Sequence, residues 1–206
     1  LSFGTSHLSL YQLTIEPGTK FETMVRLHKF EPLGNDAAAD LFTITRSLTA
    51  AAGLPAYEIS NHARLGDESR HNLTYWRYHD YAGIGPGAHG RRDGVATVRH
   101  KKPENWLAAV SDKGNGLSEE RALSANEQAS EALLMGLRLR EGVDLATLSQ
   151  RFGLAAAQLC DLAKLEFYAA QGLVWMELSR IGVTPDGMPL LDALLGELVS
   201  AELVST

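Results

Sequence analysis

The chain has 206 residues, 45% apolar and 21% charged, with a formal net charge of −6 and a single cysteine. This length accommodates one domain or two small ones with a real core, and the composition is that of an ordinary soluble globular protein. Cys160 alone excludes an internal disulfide and any iron–sulfur or cysteine-rich zinc site built from these residues, and it fits a reducing compartment. No run approaches the roughly 18 apolar residues of a membrane span, and no basic-then-apolar leader opens the chain. By default the location is cytoplasmic.

The chain opens on Leu1, and His7–Ile15 is rich in strand formers and apolar on both parities, as in strands covered on both faces. A domain seldom starts on its most buried element, so the chain is expected to be the C-terminal portion of something larger. Glu16–Thr19 is a turn and Lys20–Lys29 a short helix. Asn35 or Asp36 caps a helix with Leu41, Ile44, Leu48 and Ala52 on one face, ended by Gly53 and Pro55. Tyr57–Ile59 reads as a second strand. Strand, helix, strand predicts a parallel βαβ unit, with ligands at the strand C-terminal ends.

Between Ser60 and Gly94 periodicity fades, and five of the seven histidines fall between residues 62 and 100. Long irregular stretches of this kind are functional or disordered, and Tyr75, Trp76, Tyr78 and Tyr81 argue against disorder. Pro103 opens a helix with Trp106, Leu107 and Val110, and Lys113–Gly116 reads as a linker. Ser124 and Glu127 form a capping box for a helix with Ala132, Leu133, Met135 and Leu139. Helices come next over Asp144–Phe152 and Ala155–Gln171, ended by Gly153 and Gly172. Leu173–Leu178 and Ile181–Thr184 suit a hairpin and Leu190–Leu203 a last helix, an order that resembles a winged helix. Two domains are expected, 1–117 and 118–206. The first holds 13 basic and 12 acidic side chains, the second 6 and 13. So acidic a domain is a poor match for phosphate, and no nucleic-acid partner is expected.

Chemistry can sit in four places. Glu58, Ser60, Asn61 and His62 lie near the end of the second strand, at a rim or at a merely capped strand edge. His71, Asn72, Tyr75 and Trp76 combine an imidazole, an amide and two ring faces. These are the parts that ligate and stack a haem, with His71 as iron ligand, or else a packed Trp and Tyr beside a solvent-facing His. Gly83, Gly85 and Gly87, ahead of His89, let backbone approach a ligand or make a tight turn. Arg91–Lys102 is a basic stretch that meets acids such as propionates or forms a solvated hairpin. The histidine spacings of 9, 8, 10 and 11 from His62 to His100 match no zinc template, and no P-loop, G-x-S-x-G or H-E-x-x-H occurs.

Together, His7–Thr19, Tyr57–Asn61, His71–Trp76 and Tyr81–His89 resemble the oxygen-independent coproporphyrinogen III oxidase-like proteins of the radical S-adenosylmethionine (SAM) class. Leu134–Leu139, Gly142–Leu145 and Gly182–Gly187 agree with the same family, in order along the chain. The resemblance implies an α/β plus α fold: the last strands and helices of a partial (β/α) barrel, then a helical, winged-helix-like C-terminal domain. It also implies a 4Fe–4S cluster and SAM in the full-length protein only, because the family's C-x-x-x-C-x-x-C motif is absent here. This chain alone should therefore be inactive in radical chemistry. Thr14 and His89 fall where relatives approach SAM, and with Glu58, Asn61, Gly83, Gly85 and Gly87 they make up the expected SAM or substrate rim. True oxidases of the family decarboxylate coproporphyrinogen III, whereas the HemW-type branch binds haem and passes it to target proteins. The H-N-x-x-Y-W motif linked with haem binding in that branch is intact at His71, Asn72, Tyr75 and Trp76. The expected partners are thus haem or a porphyrinogen, haem-receiving proteins, and a second copy at the exposed barrel edge.

Overall fold

The structure, a computed structural model, describes residues 1–200 and Leu203. It divides into two compact units, residues 1–69 and 70–206.

The first unit contains β1 (His7–Ser9), α1 (Lys20–Arg26), α2 (Asn35–Ala51) and β2 (Asn61–Ala63). Thr19 caps α1 by accepting from the Glu22 N–H at 3.2 Å, while Glu22 accepts from the Gly18 N–H at 2.7 Å. The helix ends at Arg26, short of the expected Lys29. Gly34, rather than Asn35 or Asp36, is the N-cap of α2. The parallel βαβ unit is not formed, because β1 and β2 pair antiparallel, with His7 opposite Ala63 and Ser9 opposite Asn61. Tyr57–Ile59 is a tight turn closed by Tyr57 N–H donating to Asn61 O at 3.1 Å, and the arm returning from that turn is what bonds β1. Leu10 N–H still donates to Ser60 O at 2.8 Å, but residues 11–15 continue no ladder, since a strand requires a partner and none pairs with them among the described residues. Leu41, Ile44 and Leu48, the apolar face expected to be covered, are 47%, 52% and 61% exposed.

The second unit begins with α3 (Arg70–Trp76), then β3 (His89–Arg92), β4 (Val95–Arg99), α4 (Pro103–Lys113) and β5 (Leu117–Ala122). The three strands form an antiparallel sheet in the order β3-β4-β5. Asp93 and Gly94, both at positive φ, make the two-residue turn between β3 and β4 that an Asp-Gly pair favours. The boundary expected between residues 117 and 118 falls at the start of β5. Then come α5 (Ala125–Gly136), β6 (Val143–Asp144), α6 (Leu145–Phe152), α7 (Ala156–Leu159), α8 (Leu162–Ala170), β7 (Val174–Glu177), β8 (Arg180–Val183) and α9 (Leu191–Leu198). A second antiparallel sheet has the order β6-β8-β7.

The helix expected over Ala155–Gln171 is split. Cys160 is extended, forms a bridge with Val199, and precedes Asp161, which caps α8 through the Lys164 N–H at 3.0 Å. Cys160 is fully buried, as a core residue should be, though it lies between helices rather than on one. The last helix ends at Leu198, and its expected continuation over 201 and 202 lies outside the described residues. The core of this unit gathers Leu133, Leu137, Leu139, Leu159, Leu165, Ile181 and Leu198. No helix among the described residues is long and apolar enough to cross a membrane.

The capping box at the start of α5 is complete. Glu127 N–H donates to Ser124 Oγ at 3.2 Å, Ser124 N–H donates to Glu127 Oε2 at 2.8 Å, and Arg121 bonds the other carboxylate oxygen at 2.5 Å. The Ser124 N–H and Arg121 hold the Glu127 carboxyl down at about 2. A depressed carboxylate stabilises the fold above its unfolded value and ceases to do so as pH falls through the folded one. Melting temperature followed by circular dichroism should therefore drop between about pH 4.5 and about pH 2, and Glu127→Gln should flatten that drop while lowering the melting temperature at neutral pH.

Candidate functional site

Helix α3 carries the motif that the sequence singles out. Its i, i+4 spacing places His71 and Tyr75 on one face. The Tyr75 hydroxyl lies 2.9 Å from His71 Nε2, and the two rings meet edge-on at 4.7 Å between centroids. His71 Nδ1 lies 3.5 Å from Asn72 Oδ1. His71 is exposed, and Asn72, Tyr75 and Trp76 are half-buried. Tyr75 also stands edge-on against Tyr81 at 4.5 Å, and the Arg138 guanidinium lies 6.0 Å from the Trp76 ring centre. His71, Asn72 and Tyr75 thus lie together, while Trp76 stands beside Arg138.

A seven-residue helix is too short to hold itself together in water, so its order depends on the residues that close it. Tyr78 closes α3 with φ +55°, a left-handed backbone that a bulky side chain rarely adopts. His79 N–H returns to Thr74 O at 2.9 Å and Tyr78 N–H to Tyr75 O at 2.9 Å, a Schellman-type close. The Tyr78 ring is buried, and its hydroxyl donates to Glu131 on α5 at 2.6 Å. Arg91 of β3, itself buried, lies with its guanidinium carbon 3.3 Å from the Tyr78 ring centre. From there it reaches Glu131 at 3.7 Å and donates to His79 O at 3.0 Å. Its Nε has no hydrogen-bond partner. Burial, with the Glu131 bond second, pushes the Tyr78 hydroxyl far up, and burial raises that of Tyr81. Beyond α3 opens a cleft of ≈ 240 Å³ lined by Trp76, Arg77, Glu141, Asp144, Thr147 and Arg180. There Arg77 grips Glu141 through two 2.8 Å bonds, so its charge is already matched.

The other expected residues are dispersed. In the first unit Glu58 and Asn61 meet, as Asn61 Nδ2 donates to Glu58 Oε1 and Ser9 Oγ donates to Asn61 Oδ1 at 2.5 Å. Both are buried and bonded within the unit. His62 accompanies them, 2.9 Å from Thr49 Oγ1, and burial, with Arg46 second, keeps its imidazole below its ordinary value. Thr14 is exposed in the unpaired segment after β1. In the second unit Gly83, Gly85, Gly87 and His89 belong to one loop. A side chain at Gly83 would stand 2.3 Å from His89 O, so this glycine serves the loop's contact with β3. Gly85 and Gly87 have positive φ, and His89 is exposed at the head of β3. The basic stretch is a hairpin, but Arg91 turns inward while Arg92 faces solvent. Among the described residues no cluster of three or more His, Cys, Asp or Glu could hold a metal ion.

Sequence reasoning missed Tyr78, Arg91 and Glu131 as the support of α3. The Asp93-Gly94 pair was the one local signal available, since it sets a tight hairpin and hence the inward face of Arg91.

Comparison with known proteins places these residues in context. Residues 123–190 match the HemN C-terminal domain. The heme chaperone HemW of Bacillus subtilis is 32% identical over 202 residues, covering 96% of this chain and 53% of that protein. Radical S-adenosyl methionine domain-containing protein 1, mitochondrial, of Mus musculus is 35% identical over 206 residues, covering 92% of this chain and 45% of that protein. The solved structure of coproporphyrinogen III oxidase HemN from Escherichia coli, a radical SAM enzyme, superposes with a TM-score of 0.70. It is 18% identical, and the match covers 95% of this chain and 48% of that one. The chain thus spans about half the length of the curated relatives it matches.

If Tyr78 closes α3 through its hydroxyl, Tyr78→Phe should lower stability by about 1–3 kcal/mol, read from the denaturant midpoint. A change below about 0.5 kcal/mol, the range of ordinary surface substitutions, would show that the ring alone suffices.

Proposed function

Because the chain belongs to the oxygen-independent coproporphyrinogen III oxidase-like family of radical SAM proteins, we propose that it is the haem-binding portion of a haem chaperone. One observation carries this reading: His71 meets both Asn72 and Tyr75 on one accessible face of α3, with Trp76 next along the same helix. The donor set fits the cargo. Haem iron takes imidazole nitrogen or phenolate oxygen, and the porphyrin takes flat apolar contact, which Tyr75, Trp76 and Tyr81 can provide.

In this reading SAM and a 4Fe–4S cluster belong to the whole protein. The only thiol of this chain, Cys160, is buried, and burial pushes it up to about 12, the opposite of what a metal-ligating thiolate needs. The residues before β5 would be the end of a radical SAM barrel, with Thr14, Glu58, Asn61, Gly83, Gly85, Gly87 and His89 serving the SAM or substrate rim. Residues 118–206 would be an acidic partner-contact domain. The order helix, strand, helices, hairpin, with β6 paired to the second hairpin strand, supports its reading as a winged helix. The fold shared with the oxidase HemN favours a second reading, in which the same α3 face meets coproporphyrinogen III.

Haem titration separates the two. The chain should shift the Soret band of added ferric haem, and the His71→Ala/Tyr75→Ala double variant should not. An unchanged titration in that variant would remove the site from α3. Anaerobically reconstituted whole protein should leave coproporphyrinogen III intact, and its conversion to the divinyl product would favour the oxidase reading.

A further inference from the structure

A second cavity of the same unit, a groove of ≈ 510 Å³, opens between α6, α7, α8 and the β7–β8 hairpin, and no residue of α3 lines it. Its floor is the buried Leu145, Leu165 and Ile181. Its rim is also apolar and yet open to water: Leu162 is 41% exposed, Met176 43%, and Leu178 wholly so. Ser149 and Ser179 are the only polar side chains that line the groove, and no charged one does.

Leu178 is costly to the fold in two separate ways. It is the first residue of the two-residue turn between Glu177 and Arg180, with φ +55°, where glycine is preferred because a side chain there is strained. It also leaves an entire aliphatic side chain in water. Strain and exposure at one residue, on the rim of an apolar groove, point to a contact with something outside the fold.

The charges around the groove select what that is. Asp144 caps α6, accepting from the Ala146 and Thr147 N–H groups at 2.9 and 3.2 Å, and Asp161 caps α8. Glu166 lies one turn beyond Leu162 on the same stripe of α8. Among the described residues none of these three carboxylates has an ion-pair partner. The cations of the same elements are engaged elsewhere: Arg151 on Tyr78 O at 3.1 Å, Lys164 on Glu197 at 2.6 Å, and Arg180 on Glu141 O at 2.7 Å. With 13 acidic against 6 basic side chains over residues 118–206, this surface repels anionic lipid and a second copy of itself alike.

We propose that this groove docks an amphipathic helix of a partner protein, apolar on the face that enters and rich in lysine or arginine on its flanks. Side chains rather than free backbone groups line the groove, which is how a helix is received. Leucine-like anchors would fill the space over Leu165 and Ile181, Leu178 and Met176 would close on them, and the flanking cations would meet Asp144, Asp161 and Glu166. The proposal rests on the partner-contact reading of residues 118–206 and gives it a surface; it does not depend on haem binding by α3.

The test uses the full chain and a fluorescent synthetic helix with leucines on one face and lysines on the other, followed by anisotropy. The parent should bind it, more weakly as salt is added, and should not bind the same peptide with glutamates in place of the lysines. Leu178→Ser, which removes only an exposed side chain, should weaken binding about tenfold, the effect of losing one buried leucine. Glu166→Lys should weaken it about threefold, as for a rim ion pair. Glu120→Gln, which removes a carboxylate of β5 instead, should stay within about twofold of the parent. Equal affinity in the parent, Leu178→Ser and Glu166→Lys overturns the groove and leaves partner contact by this acidic stretch standing. A parent that does not bind the lysine peptide overturns both. Sedimentation and phosphatidylserine-vesicle flotation test the other occupants: a dimer that Leu178→Ser dissociates, or vesicle binding that it abolishes, overturns the proposal by filling the groove with something else.

Discussion

A tyrosine in an unfavourable backbone conformation holds the second unit together around its motif. A bulky residue at φ +55° costs on the order of 1–3 kcal/mol. Against this stand a hydrogen bond to a carboxylate, about 1.5–3 kcal/mol, and a desolvated cation–π contact of about 2 kcal/mol. The two together exceed the strain, so Tyr78 stays left-handed as long as Glu131 and Arg91 are in place. Through that residue the end of α3 is tied to α5 and to β3 at once. The path from α5 to the motif then has few steps. Glu131 holds Tyr78, Tyr78 closes the helix, and Arg91 sets Tyr81 against Tyr75.

The charges in this knot are arranged as physical chemistry requires. A buried guanidinium without partners would be strongly destabilising. Arg91 has Glu131, the His79 carbonyl and two ring faces, and leaves only Nε unmatched. Glu131 is partly open to water, so the pair avoids the full desolvation cost of two buried ions. Arg151 adds a bond to Tyr78 O from α6 at 3.1 Å. Arg91, from before β5, and Arg151, from the acidic stretch after it, thus hold backbone and rings in position.

How much of the fold was legible in the sequence depends on how local each cause is. The capping box of α5, the Pro103 helix start, the glycine stops after α6 and α8 and the β7–β8 hairpin depend on neighbours within a few residues, and each is present where expected. The failures depend on distant partners. The strand over 7–15 shrinks to three residues because only Asn61–Ala63 pairs with it. The Tyr57–Ile59 strand became a turn because Ala56 pairs back on His62, and that choice reverses the whole ladder. The long helix after Ala155 breaks because Cys160 is drawn into a bridge with Val199. At the site, the grouping of His71, Asn72, Tyr75 and Trp76 was readable because helical spacing makes neighbours of residues four apart. Its support was not, since nothing adjacent to Tyr78 announces a partner 53 residues on.

Position and stability of the motif are accordingly one problem. A helix as short as α3 borrows its order from its packing partners, and its packing and hydrogen bonds come from α5, β3 and α6. The region that matches the HemN C-terminal domain contains both α5 and α6. That domain therefore does more than come after the motif in sequence: Glu131 and Arg151, which lie within it, fix the residue that ends α3. A ligand face built this way is rigid at its base, where Tyr78 is buried, and open at its tip, where His71 meets solvent. A carrier of the kind proposed above would benefit from that division. The base keeps the phenol and imidazole in register, and in that reading the open tip would let a flat cargo arrive and leave without the core having to move.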